Sequence, residues 1–319
     1  MEEIKARSLV KQIRSATLEG AIAHDVLLEA SFTRGLPGFS IVGLGDEAIK
    51  EAKERVKSAL MLSGFQFPPL KITVNLSPGD LKKSGSQMDL PIALLIALQN
   101  DPVNLDGVYC FGELGLDGSL RSTPAIFALA LSLARQGKLT DVLCDPQSAV
   151  KLARIPGVRV YAAATLAEAM AFFKTPQRTA LAAEPLSAQS IFVDQPYYYE
   201  TAEGADFAEV RGQTLAKRAA LIAAAGFHNL ALSGAPGCGK SMIIKRLAGI
   251  LPPMSLGELL ERASLESLEG RMPSFKAERP LRSPHHSSTK ASIFGGGCNL
   301  QQKLQISKSC CEFHNSSCK

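Results

Sequence analysis

The clearest chemistry in this chain lies in one short run: Gly234, Ala235, Pro236, Gly237, Cys238, Gly239, Lys240 and Ser241. Gly234, Gly237 and Gly239 can take backbone angles closed to other residues, and they let main chain come close to an anion. Successive N–H groups around such a bend form a concave anion site, reinforced by the positive end of a following helix. Lys240 offers an ammonium to β- and γ-phosphates, and Ser241 offers a hydroxyl to Mg²⁺. The run therefore reads as a P-loop for a nucleoside triphosphate, ATP first, held with Mg²⁺. Cys238 reads as a tolerated small residue rather than a redox sensor.

A P-loop works only between a strand and a helix. The sequence predicts a short buried strand over 230–233 and a helix over 242–250. Downstream, Arg282, His285, His286 and Lys290 form a basic segment, which is open to two readings: a DNA- or pore-facing insert, or a solvated loop. Of the 7 cysteines, Cys110, Cys144 and Cys238 are scattered, while Cys298, Cys310, Cys311 and Cys318 crowd into 298–319 beside His314. These tail residues offer themselves as zinc ligands, but adjacent cysteines do not match the paired spacing of structural zinc sites. An out-of-frame or disordered tail is the reading preferred for 298–319.

The chain has 319 residues, 46% hydrophobic and 20% charged, with a formal charge of +5. This length predicts two domains, and the composition is that of a globular protein. The mild basic excess permits a nucleic-acid partner without requiring one. The acidic start, Met1-Glu2-Glu3, is unlike a signal peptide, and the most apolar stretch, 90–98, is too short for a membrane span. The expectation is a cytoplasmic protein.

Ahead of the loop, residues 1–174 mix helix and strand, and an Ala-, Ser- and Pro-containing stretch over 175–205 reads as a linker. Residues 39–42 predict a strand ended by Gly43 and Gly45. Asp46 caps a helix over 47–63, and Gly64 closes it. The charges Lys50, Glu51, Lys53, Glu54, Arg55 and Lys57 on that helix read as a solvated face. Strands are predicted over 71–76, 108–114, 142–144 and 158–162, and helices over 90–98, 124–135 and 166–173.

Several runs resemble one family. Asp206-Phe207-Ala208-Glu209-Val210-Arg211-Gly212-Gln213, then Ala216-Lys217-Arg218-Ala219, then Ala223-Ala224-Ala225-Gly226-Phe227-His228-Asn229-Leu230 lead into the P-loop. With the run from Arg279 through Pro280, Leu281, Arg282, Ser283 and Pro284 to His285-His286, and with Gly295-Gly296-Gly297, they are similar to Mg-chelatase-like AAA+ proteins of the ComM/YifB type. Gly35-Leu36-Pro37-Gly38 and Ile72-Thr73-Val74-Asn75-Leu76-Ser77-Pro78 near the front resemble that family too. The likeness covers 5–297. It implies an α/β and α+β fold in two domains: an N-terminal ribosomal-S5-domain-2/Lon-protease-like domain (1–174), the linker (175–205) and an incomplete P-loop AAA+ domain (206–297), before the tail at 298–319. It also implies an ATP- and Mg²⁺-dependent motor that assembles as a hexameric ring on DNA and drives branch migration in natural transformation.

Proteolysis is set aside. By alignment, Gln87 stands where a Lon-type nucleophile belongs and Phe127 where its lysine belongs, and these two cannot form a nucleophile–base pair. The sequence after Gly297 also departs from the family, since no apolar strand ending in Asp-Glu follows. Hydrolysis needs such an acidic group beside Mg²⁺, and a neighbouring Arg for the transition-state charge. The expectation is an AAA+ protein whose frame is lost near residue 298 and which turns ATP over poorly. Three readings follow: an ATP-dependent DNA motor subunit, a non-catalytic nucleotide-binding module, and a metal-chelatase motor subunit.

Overall fold

A glycine turn at φ +61° joins the longest hairpin among the described residues: β1 (Lys11–Glu19) and β2 (Ile22–Thr33). Their antiparallel register sets Ile13 opposite Leu28 and Ser15 opposite Val26, and these four residues are buried. The computed structural model describes residues 11–200 and 206–279, and the backbone alone at 281–282 and 311–312. The described chain falls into two compact units, 1–185 with 263–273, and 186–262 with 274–319. These divisions differ from the sequence boundaries at 174 and 205.

In the first unit β3 (Gly38–Val42) leads into α1 (Glu47–Leu62), then β4 (Lys71–Ser77) and α2 (Asp89–Ala97). Next come β5 (Tyr109–Cys110), β6 (Glu113–Leu114), β7 (Leu120–Arg121) and α3 (Ala125–Arg135). β8 (Asp141–Cys144), α4 (Pro146–Leu152), β9 (Arg159–Ala162) and α5 (Leu166–Lys174) complete it. The strands form a 7-stranded sheet in the order β3-β4-β2-β1-β5-β8-β9. The β1–β2 and β2–β4 pairs are antiparallel and the other pairs are parallel. The architecture is the mixed α/β expected.

The core lies between the sheet and the helices α1, α2 and α5. Val26, Leu28, Ile72 and Val74 meet Ile49, Val56 and Leu60 of α1. Every residue of α2 is buried; a helix apolar on all sides is stable only inside a protein. Asp46 caps α1 as expected: its carboxylate accepts from the Ile49 N–H at 3.1 Å and from the Gly85 N–H at 3.2 Å. Gly64, at φ +80°, ends it.

Three expectations need correction. Residues 108–114 do not form one strand, because β5 joins the large sheet while β6 pairs with β7 in a separate ribbon. Gly112 separates them by exchanging main-chain bonds with Gln87 and Leu90, so the chain leaves the ladder there. Arg55 does not lie on a solvated face either. Its guanidinium turns inward, with Nε 2.7 Å from Oδ2 and Nη2 3.1 Å from Oδ1 of the fully buried Asp89. Burial pushes the Asp89 carboxyl up from its ordinary value, against the pull of Arg55. The third correction concerns 230–233. Among the described residues they join no sheet, since local β-propensity makes a strand only where a neighbour completes the ladder.

In the second unit, β10 (Gln189–Phe192) and β11 (Pro196–Tyr199) form a hairpin within the stretch read as a linker, and β12 (Met254–Ser255) pairs with β11. α6 (Thr214–Gly226) and α7 (Lys240–Leu247) pack through Ala220, Ala224, Ile243 and Leu247 around Val210. α8 (Leu256–Leu268) follows β12 and continues into the segment 263–273 that belongs to the first unit, and β13 (Leu281–Arg282) pairs in parallel with β14 (Cys311–Glu312). Among the described residues no helix is long and apolar enough to cross a membrane.

Candidate nucleotide-binding loop

α6 brings the chain to the loop. It ends at Gly226, and Phe227, at φ +52°, turns the chain while the His228 N–H returns to the Ala223 carbonyl at 2.9 Å. Residues 230–233 follow, then the bend from Gly234 to Gly239. Gly237 and Gly239 stand at φ +82° and +91°, and a Cβ on either would meet nothing within 4 Å. Their glycines are therefore required by backbone conformation, not by crowding.

Lys240 arches back across the bend. Its Nζ donates to the Gly234 carbonyl at 2.8 Å and the Ala235 carbonyl at 2.9 Å, and lies 3.6 Å from the Cys238 sulfur. The ammonium is thus held against the loop that a polyphosphate would enter. The same residue opens α7, whose first N–H groups have no intrahelical acceptor and whose dipole adds positive potential there. α7 is fixed from behind: Ile243 and Leu247 are buried, and Arg246 pairs with Glu209 and donates to the Asp206 carbonyl at 3.1 Å. Residues 234–238 and Ser241 are exposed and Gly239 is half-buried, so an anion has access.

The bend fits a triphosphate by its donors: open glycine amides, one ammonium and the Ser241 hydroxyl. Among the described residues no group of three or more His, Cys, Asp or Glu side chains gathers to hold a metal.

Sequence reasoning did not single out two supports of this unit. Gln213, at φ +50°, begins α6 and donates from Nε2 to the Cys238 carbonyl at 3.3 Å, propping the loop from outside. Arg279, only 6% exposed, binds Glu258 through two nitrogens at 2.9 and 3.2 Å and donates to the carbonyls of Pro252 and Pro253. Its guanidinium also lies 4.9 Å from the Phe227 ring centroid. Nothing in residue spacing signals either role, because both depend on partners distant in sequence.

The other candidates lie elsewhere in the sequence. Arg282 lies in β13, where only the backbone is described, and Cys311 lies likewise in β14. His285, His286, Lys290, Cys298, Cys310, His314 and Cys318 fall outside the described residues. In the first unit, Gln87 is buried and its Nε2 donates to the Ser84 carbonyl at 2.7 Å, while Phe127 belongs to the core. The Ser86 hydroxyl pairs with the Glu113 carboxylate.

Two family models match the chain. One, described as subunit ChlI of Mg-chelatase, covers 28–147, and one described as magnesium chelatase, subunit ChlI, covers 206–310 and so takes in the whole loop. An uncharacterized protein YifB of Salmonella typhimurium is 38% identical over 87% of this chain and 53% of its own length. The competence protein ComM of Haemophilus influenzae is 37% identical over 87% of this chain and 54% of its own. An uncharacterized protein of Mycobacterium bovis is 33% identical over 92% of this chain and 57% of its own. The chain spans about half the length of these curated relatives.

Proposed function

Because the chain belongs to the ChlI-like Mg-chelatase family, in its ComM/YifB branch, we propose that it is an AAA+ nucleotide-binding protein that grips MgATP through 234–241. The observation that carries this reading is the Lys240 ammonium held across an exposed glycine bend at the start of α7. Backbone N–H groups at Gly237 and Gly239 face the phosphate oxygens, Lys240 balances their charge, and the Ser241 hydroxyl shares the Mg²⁺. In binding, Lys240 exchanges its carbonyl partners for phosphate oxygens, which make stronger, charge-assisted bonds.

A role as a subunit of a DNA motor is the finer part of the proposal. It rests on likeness to a competence protein and on the basic residues around Arg282. The second reading is a nucleotide-binding module that turns over little ATP on the same loop.

Calorimetric titration with MgATP tests the first claim, with single-site binding expected; absence of binding refutes it. Turnover in the presence and absence of branched DNA separates the two finer readings. DNA-stimulated hydrolysis together with salt-sensitive DNA binding supports the motor. Binding with negligible turnover, unchanged by DNA, supports the module.

A further inference from the structure

The first unit holds a groove of about 500 Å³ where β1, β2 and the segments entering β5 and β8 meet. That volume lies within the range of small-molecule sites, roughly 300–1,000 Å³. The buried Tyr109 lines it, in register with Arg14 across the parallel β1–β5 pair. The Tyr109 hydroxyl donates to the Asp25 carboxylate, and Lys138 Nζ lies 3.4 Å from the other Asp25 oxygen. Burial first, and then Asp25, push the Tyr109 hydroxyl up to about 12, so it keeps its proton and goes on donating at neutral pH. Asp25 and Lys138 therefore neutralise each other.

Two other charges line the same groove. The exposed Arg14 guanidinium donates to the Tyr109 hydroxyl, and among the described residues it pairs with no carboxylate. Asp106 is exposed as well. Its own N–H is held by the Asn104 side chain at 2.8 Å, but among the described residues its carboxylate pairs with no cation. One unpaired ion on open surface is ordinary. Two of opposite sign on the walls of one groove, not paired with each other, make a recess with a positive and a negative pole.

We propose that this groove binds a small zwitterion carrying an ammonium and a carboxylate, as a free α-amino acid or a short peptide does. The ligand carboxylate meets Arg14, whose planar fork suits it in a bidentate pair. The ligand ammonium meets Asp106. A plain anion fits less well, because Asp106 repels it and Lys138 is already held by Asp25. A plain cation is opposed in the same way by Arg14.

The test titrates the full chain, without nucleotide, with the common L-amino acids and a panel of dipeptides in a calorimeter. Saturable binding by at least one of them is expected, and its length tells free amino acid from peptide. Removing one charge from that ligand, by N-acetylation or by conversion of its carboxylate to the amide, weakens binding by about tenfold or more. Arg14→Gln and Asp106→Asn weaken the parent ligand similarly without changing the melting of the free chain, and Arg14→Lys retains part of the affinity. In Asp106→Asn the N-acetyl form binds no worse than the parent. Binding by no member of either panel overturns the proposal, as does an N-acetyl form that matches its parent on the native chain. Affinity unchanged in both neutralised variants overturns it too. So does inorganic phosphate that binds the native chain and is lost in Arg14→Gln, by assigning the groove to a plain anion. With no nucleotide present, these outcomes are independent of whether 234–241 binds ATP.

Discussion

The two units of this protein divide stability and chemistry between them. The first wraps a 7-stranded sheet in helices around a large core. The second has a small core and an exposed glycine bend, and among the described residues 230–233 ahead of that bend join no sheet. Strong burial fixes a fold and leaves little backbone free. Phosphate capture needs the opposite, open amides and an accessible ammonium, which the glycine bend offers.

The largest effect that would sharpen this contrast is expected in the first unit. Arg55→Ala leaves the buried Asp89 carboxylate unpaired, which costs about 3–5 kcal/mol at neutral pH. The sign follows from the raised Asp89 carboxyl: as pH falls through that value the group takes up a proton and needs Arg55 less, so the defect shrinks. Denaturant melts of both proteins across the acid range check this. A defect that does not vary with pH would break the account of the pair.

A smaller effect is expected in the second unit. Burial raises the Glu258 carboxyl, but the Arg279 guanidinium and the Ser255 hydrogen bonds outweigh it and hold it below its ordinary 4.5. A lowered carboxyl contributes stability above its unfolded value, and loses it as pH falls through the folded one. Glu258→Gln therefore costs about 1–2 kcal/mol near neutrality and flattens the acid limb of unfolding. The smallest effect is expected at the cap of α1. Asp46→Ala removes the acceptor for two main-chain N–H groups and costs about 1 kcal/mol. Thermal melts reveal the difference, and a larger loss at Asp46 than at Arg55 would invert the ordering drawn here.

Much of the first unit is written locally. Asp46, the apolar spacing of α1 and Gly64 specify that helix from cap to stop, and the uninterrupted apolar run of α2 declares its own burial. The β1–β2 hairpin is not legible in the same way. Ala16, Thr17 and the adjacent Leu27-Leu28 blur the alternation, and the strands are defined by their cross-strand partners. The glycine bend is legible because its conformation, charge and hydroxyl lie in consecutive residues. Gln213 and Arg279 are not, since their partners lie far along the chain. Residues 230–233 show the limit most plainly: strand-like residue types were read as a strand, but pairing is a tertiary property.

The central claim is that Lys240 supplies the charge that holds a polyphosphate on this bend. Calorimetric MgATP affinity of the native chain and of Lys240→Ala tests it most directly. The account predicts that affinity falls by about 100-fold or more, corresponding to a lost charge-assisted bond of roughly 3 kcal/mol, with melting of the ligand-free protein unchanged. Equal affinity in the two proteins would contradict it.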